Sequence, residues 1–137
     1  MNEILLNAIL HLFAIRTSLL ASEGLSDARA VIIRYLRESL RISSAEVYLK
    51  LFEEALNIHR LGDDQTKMAQ AAEITANLKK RLPRFDQYVF LIRYLELAGM
   101  KDGFDTGLND VVARELSVEP DVFKDLAVLT SSVFAGS

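Results

Sequence analysis

Apolar residues recur every three to four positions along nearly the whole chain, which is the spacing of one face of an α-helix. The first run, from Glu3 to Ser22, is apolar around most of its circumference, and only Asn7, His11 and Ser18 form a narrow polar stripe. A helix of this kind is expected to lie at the centre of a domain, because nearly all of its faces must leave water. No stretch alternates between apolar and polar residues for long enough to predict a β-strand. The sequence therefore predicts an all-α fold.

Turn residues divide the rest of the chain into further helices, so that the pattern predicts a compact bundle of about seven. The third helix carries several apolar residues on one side, namely Val47, Tyr48, Leu51, Phe52, Ala55 and Leu56. The later helices are predicted at Gln65 to Arg81, Pro83 to Ala98, Leu108 to Leu116, and Pro120 to about Phe134.

Two short acidic turns, Glu23-Gly24 and Asp102-Gly103, stand 79 positions apart, and each separates two apolar helical runs. Internal repetition of this kind indicates related structural units. The break at Leu61-Gly62-Asp63-Asp64, where Asp64 is a candidate N-cap, falls between them. The sequence therefore predicts one domain over residues 1–137, made of two pseudo-repeated halves at about 1–62 and 63–137.

The composition narrows the classes of function. The chain has 137 residues, a formal net charge of −3 and no cysteine, so thiol chemistry and disulfides are excluded. An acidic balance makes nucleic acid an unlikely partner, since such binding normally needs a basic footprint. Polar residues interrupt the first apolar run too early for a membrane span, and no targeting signal precedes it, so we expect a cytoplasmic protein.

No catalytic constellation is visible in the sequence. The two histidines, His11 and His59, have no acidic partner at helical spacing, and His11 is expected to be a partly buried, hydrogen-bonded residue of the first helix. The chain has neither a nucleophile elbow nor a phosphate-binding glycine loop. We therefore expect no enzymatic activity and no catalytic residues.

The second acidic turn offers oxygen ligands for a cation. Asp102, Asp105 and Asp110 surround glycines that permit a bend, and calcium or another divalent ion prefers such ligands. An EF-hand would need an oxygen ligand at Phe104 and a glutamate at Ala113, so the match to that loop is incomplete. The alternative is that these acidic residues cap helices and complement their dipoles.

Two clusters of basic residues form a candidate surface for an anion or an acidic partner. Three arginines of the second helix share one face at spacings of three and four, and a second group surrounds the end of the fourth helix. The clusters are Arg34, Arg37 and Arg41, and Lys79, Lys80, Arg81 and Arg84. The alternative is a solvated outer face that pairs with Glu38 and other surface acids.

Three segments carry a resemblance to a known family: Leu6 to Phe13, Tyr48 to Leu56, and Leu91 to Ala98 with the Asp102-Gly103 turn and the run Leu116 to Phe123 that follow it. Over nearly its whole length the chain resembles the TerB-like family of tellurite-resistance domains. It is most similar to the N-terminal segment of bacterial proteins that also carry an ABC-type ATPase domain.

The resemblance implies a helical bundle that acts as a binding or sensing module in stress-related or envelope-associated systems. It also implies a metal role for an Asp-Gly turn followed by a glutamate, although this chain has Ala30 and Asn109 near the two expected glutamate positions. We therefore expect a non-catalytic interaction or sensing module, whose partner is another protein or a fused downstream domain such as an ATPase. The alternative is a divalent-metal module that uses the Asp102–Asp110 turn.

Overall fold

The computed structural model describes residues 2–19, 25–98, 107–119, 121–126 and 128, and regular structure in this part of the chain is entirely helical. The predicted all-α fold is therefore confirmed. A π-helical turn, Tyr35–Ser39, continues the second helix, and residues 121–126 and 128 are also helical. The α-helices are α1 (Glu3–Thr17), α2 (Leu25–Arg34), α3 (Ala45–Arg60), α4 (Asp64–Arg81), α5 (Arg84–Ala98) and α6 (Leu108–Glu115).

The limits of α1 follow from side chains that bond to its ends. Asn2 is the N-cap, and its side-chain oxygen accepts a hydrogen bond from the Leu5 amide at 2.8 Å. At the other end, the hydroxyls of Thr17 and Ser18 donate to carbonyls of the preceding turn, which favours helix termination. The helix predicted to reach Ser22 therefore ends at Thr17, and Ser18 and Leu19 form a turn.

The first helix is the centre of the fold, as its sequence predicts. Every residue from Leu12 to Thr17 is buried, so no side of this part of the helix faces solvent. Helices α3, α4 and α5 supply most of the cover. The Phe13 ring stacks on Phe90 of α5 at a centroid distance of 5.3 Å and meets Tyr35 edge-on at 5.4 Å. These aromatic contacts tie α1 to α5 and to the end of α2.

The break between α3 and α4 lies where the sequence predicts it, but a different residue forms the cap. The side chain of Asp63 accepts a hydrogen bond from the Thr66 amide at 2.7 Å, and Asp64 is already the first residue of α4. This hydrogen bond also holds the pKa of Asp63 below its ordinary value. The N-cap and the first residue of α4 therefore both lie one position earlier than the pattern predicts.

Helix α5 has a buried side and an exposed side. Phe90, Leu91 and Tyr94 are completely buried, whereas Phe85 is 76% exposed and Ile92 is 40% exposed. The proposed repeat stays a prediction, because Glu23-Gly24 and Asp102-Gly103 lie outside the described residues. Among the helices within the described residues, none has both the length and the apolar character required to cross a membrane.

Candidate functional site

An open groove lies between α1 and α3, which run in the same direction along this side of the molecule. Near their N-terminal ends the two helices enclose a cavity of about 390 Å³. Further along, His11 of α1 contacts His59 of α3. The cavity is lined by Glu3, Ile4, Asn7 and Leu10 from α1 and by Val47, Tyr48 and Leu51 from α3. We call this region the α1–α3 groove.

Apolar side chains follow the exposed side of α3, and two of them, Val47 and Leu51, line the groove. Val47 is 60% exposed, Ile58 is 62% exposed and Leu61, at the end of the helix, is 90% exposed. Together with the half-exposed Leu51 and the exposed Glu54 they are spaced alternately by four and three residues. A 4-3-4-3 spacing marks one continuous stripe along a helix, the pattern of a coiled-coil seam. We call these five residues the α3 seam.

Only part of the apolar side that the sequence predicts for α3 is buried. Phe52, Ala55 and Leu56 face the core as expected, and the buried His59 completes that face. The sequence pattern places Val47 and Leu51 on the same side, but the structure leaves both at the surface. Neighbouring helices cover only one side of α3. Val47 and Leu51 lie away from the centre of that side and therefore stay at the surface.

Charged residues beside the apolar part of the groove are mainly acidic. Glu3 stands at the start of α1, and Glu46 and Glu54 lie on α3, where Lys50 is the neighbouring cation. All four side chains are exposed. The groove therefore combines an apolar floor with a rim of net negative charge.

At the far end of the groove, the two histidines form a direct contact between α1 and α3. His11 Nδ1 and His59 Nε2 are 2.9 Å apart, and the two rings are perpendicular. At this distance one ring N–H donates to the lone pair of the other ring. The prediction that His11 is partly buried and hydrogen-bonded is confirmed. Its partner could not be predicted from local spacing, because 48 residues separate the two histidines.

The environment of the pair favours the neutral form of both rings. Burial lowers the pKa of His11 and, as the largest cause, that of His59. The His11 ring and the ammonium of the buried Lys67 on α4 lower the pKa of His59 further. A doubly protonated pair would also lose its hydrogen bond, since neither ring would retain an acceptor nitrogen.

The first predicted basic cluster is largely paired with acids. Arg37 binds the exposed Glu46 at 2.6 Å, and Arg34 binds Glu96 of α5 at 3.2 Å. Arg41 is exposed and adopts a left-handed backbone conformation, with φ 55°, just after the π-helical turn. The residues therefore share a region of the surface, but two of the three already have acidic partners there.

A buried carboxylate joins α2 to α5. The Glu96 side chain is only 3% exposed, and it accepts hydrogen bonds from Arg34 and, at 2.7 Å, from Arg93. Arg93 also reaches Glu38, which lies in the π-helical turn. Burying a carboxylate costs free energy unless donors replace its lost hydration, and here each oxygen accepts a hydrogen bond from an arginine.

The second basic cluster holds neighbouring helices together. The Arg84 guanidinium donates to the carbonyls of Leu116 and Ser117 at 2.8 and 3.3 Å, and it lies over the Tyr88 ring. Lys79 Nζ donates to the hydroxyl of Ser117.

The remaining two members, Lys80 and Arg81, are exposed in the last turn of α4. Cations there also complement the helix dipole. The cluster thus has a structural role, and its proposed affinity for anions stays a prediction.

Only one residue of the candidate metal turn belongs to the described part of the chain. Asp110 is exposed in the first turn of α6 and lines an open cavity of about 770 Å³ with Asn109 and Arg114. Asp102 and Asp105 lie outside the described residues. In the part of the chain that the structure describes, no three histidine, aspartate or glutamate side chains are grouped as a metal site. A divalent ion at the turn stays a prediction.

Comparison of the chain with protein-family models, with curated proteins and with solved structures finds no match. The TerB-like resemblance, the cytoplasmic location and the ATPase expected as a fused neighbour therefore stay predictions. Any hypothesis about a ligand of the α1–α3 groove must therefore be argued from the geometry and the charge of the groove itself.

Replacing Glu96 with glutamine tests the buried ion-pair network. The variant keeps the size of the side chain but removes the charge that two arginines share, so we expect the free energy of unfolding to fall by about 1–3 kcal/mol. Glu46→Gln is the matched control, because its carboxylate also binds an arginine but is 72% exposed. We expect a change below about 0.5 kcal/mol there. Equal effects in urea denaturation would contradict the structural role of Glu96.

The histidine pair predicts a pH dependence of stability. Because both pKa values are lowered in the folded state, the unfolded chain binds more protons as the pH falls through the ordinary histidine value of 6.5. The contribution of the pair is therefore complete above that pH and is lost progressively as the pH falls below it. Thermal unfolding between pH 7.5 and 5.5 should show a steeper decline for the natural chain than for His59→Gln. Identical slopes, or NMR titration midpoints of 6.5 or higher, would contradict this account.

Proposed function

We propose that the protein is a non-catalytic interaction module that binds an amphipathic helix of another protein in the α1–α3 groove. The observation that carries the proposal is the α3 seam, a stripe of four apolar residues and one glutamate left at the surface, of which Val47 and Leu51 line a cavity of about 390 Å³. Surface apolar residues that stand singly are ordinary, whereas a continuous stripe next to a groove is typical of an interaction site.

The shape of the site favours a helix over other kinds of ligand. The α3 seam extends over 15 residues of sequence, which corresponds to ~21 Å along a helix axis. Its alternating spacing matches the spacing of apolar side chains on a partner helix. Ile4 of α1 is 73% exposed on the opposite wall, so that a bound helix would contact both α1 and α3.

The charge of the rim gives the expected chemistry of the partner. Glu46 is paired with Arg37, but the three acids Glu3, Glu46 and Glu54 still outnumber the two cations Lys50 and Arg37. A helix with basic residues beside its apolar stripe therefore complements the groove. The TerB-like resemblance, which implies a binding or sensing module, points in the same direction.

A synthetic helix tests the proposal directly, because it presents the complementary pattern in place of the natural partner. The probe is a peptide of about 21 residues, with leucine at the two apolar heptad positions and lysine at the flanking positions. We expect amide NMR shifts confined to α1 and α3. We also expect Leu51→Lys to weaken binding in calorimetry by about tenfold or more, because a buried leucine contact is lost and a charge is added.

Phe85→Lys is the matched control. Phe85 is also an exposed apolar residue, but it lies at the start of α5 and is not one of the residues that line the groove. We expect this variant to bind the peptide like the natural chain. No binding, shifts centred on other helices, or equal weakening by both substitutions would overturn the proposed function.

A further inference from the structure

We propose that Glu54 determines which helix the α1–α3 groove accepts, selecting a partner with a lysine or arginine opposite it and rejecting a second copy of this chain. The inference rests on the proposed function and specifies the partner. Its basis is the position of a single carboxylate at the centre of an otherwise apolar seam.

Glu54 is the middle member of the α3 seam, with Val47 and Leu51 before it and Ile58 and Leu61 after it. A helix packed on the seam would cover this carboxylate together with the apolar residues. Removing a carboxylate from water costs free energy unless a cation or hydrogen-bond donors replace the lost hydration. A partner helix meets this requirement when a lysine or arginine occupies its central seam position. One polar residue in an apolar seam is a recurring way to fix register and partner choice.

A second copy of the chain cannot meet that requirement through its own α3 seam. In a parallel pair in register, the two Glu54 carboxylates would face each other. In an antiparallel pair, each Glu54 would pack against apolar seam residues of the other copy. The seam contains four apolar residues and one acid, so neither arrangement places a seam cation next to Glu54. The nearest cation, Lys50, flanks the seam and does not belong to it, so self-association buries both carboxylates without a cation at a seam position. This is a form of discrimination against the wrong partner.

Two peptides that differ at one position test the selection of a cation. Both are the leucine heptad helix described above, one with lysine and one with glutamate at the central seam position. We expect the natural chain to bind the lysine peptide at least about fivefold more tightly, and Glu54→Lys to reverse the order. Glu73→Lys, a change of an exposed glutamate on α4, is the matched control and should leave the order unchanged.

Self-association is tested by analytical ultracentrifugation of Glu54→Leu. This variant completes the apolar seam, so we expect a dimer that forms with increasing concentration, while the natural chain stays monomeric under the same conditions. Leu51→Lys added to Glu54→Leu should abolish the dimer, which would locate the contact at the seam. Circular dichroism checks that each variant is folded.

The outcomes separate the two proposals. Equal affinity for both peptides, with Leu51→Lys still weakening binding, would overturn the role of Glu54 and leave the helix-binding function supported. Failure of the lysine peptide to bind would overturn both. A dimer of the natural chain that Leu51→Lys disrupts, or a Glu54→Leu variant that stays monomeric, would also overturn the rejection of a second copy.

Discussion

The burial of the second half of α1, from Leu12 to Thr17, on all sides is the condition that the other helices of the described structure satisfy. A helix whose central residues are apolar around the whole circumference cannot be covered by one neighbour, because two packed helices shield only one side of each other. Helices α3, α4 and α5 therefore surround it. The Phe13 ring lies at the centre of this arrangement, in contact with Phe90 and Tyr35, so the apolar surface removed from water is concentrated there.

The same condition explains why α3 has two different apolar surfaces. One side of α3, with Phe52, Ala55 and Leu56, is buried in the core, and α3 packs against α1. The second, the α3 seam, is not needed for that contact and stays open beside the groove. It is this exposed surface, and not the buried side of α3, to which the proposed function assigns a partner helix.

Polar contacts between the helices fix their relative positions. The histidine pair connects α1 to α3, and the carboxylate of Glu96 connects α2 to α5 through Arg34 and Arg93. Arg84 extends the framework from α5 to the end of α6. Each of these groups is satisfied by partners on another helix, and loss of one partner would leave a buried or half-buried polar group without compensation. The basic residues that appear in the sequence as a surface for anions thus have internal roles in several cases.

The extent to which the sequence predicts this structure differs between local and long-range features. Helical periodicity and the uniform apolar character around Phe13 are sufficient to predict the all-α fold and the central position of α1. The apolar side predicted for α3 is only partly buried. Val47 and Leu51 have the same spacing as core residues, and only the placement of the neighbouring helices leaves them exposed.

Contacts between distant parts of the chain cannot be predicted from the local spacing of residues. His11 and His59 are 48 residues apart, and Arg34 and Glu96 are 62 residues apart, so no spacing rule joins them. The α1–α3 groove escapes prediction for the same reason, although the 4-3-4-3 spacing from Val47 to Leu61 is visible in the sequence and could have indicated it.

Amide hydrogen exchange measured residue by residue tests the central position of α1 most directly. If the other helices depend on its burial, the amides from Leu12 to Ile15 should exchange only through global unfolding and should be among the slowest in the protein. Amides on the exposed side of α3, such as that of Ile58, should exchange earlier through local opening. Exchange of the α1 amides well before those of α4 and α5 would contradict the account, because the surrounding helices would then remain folded without α1.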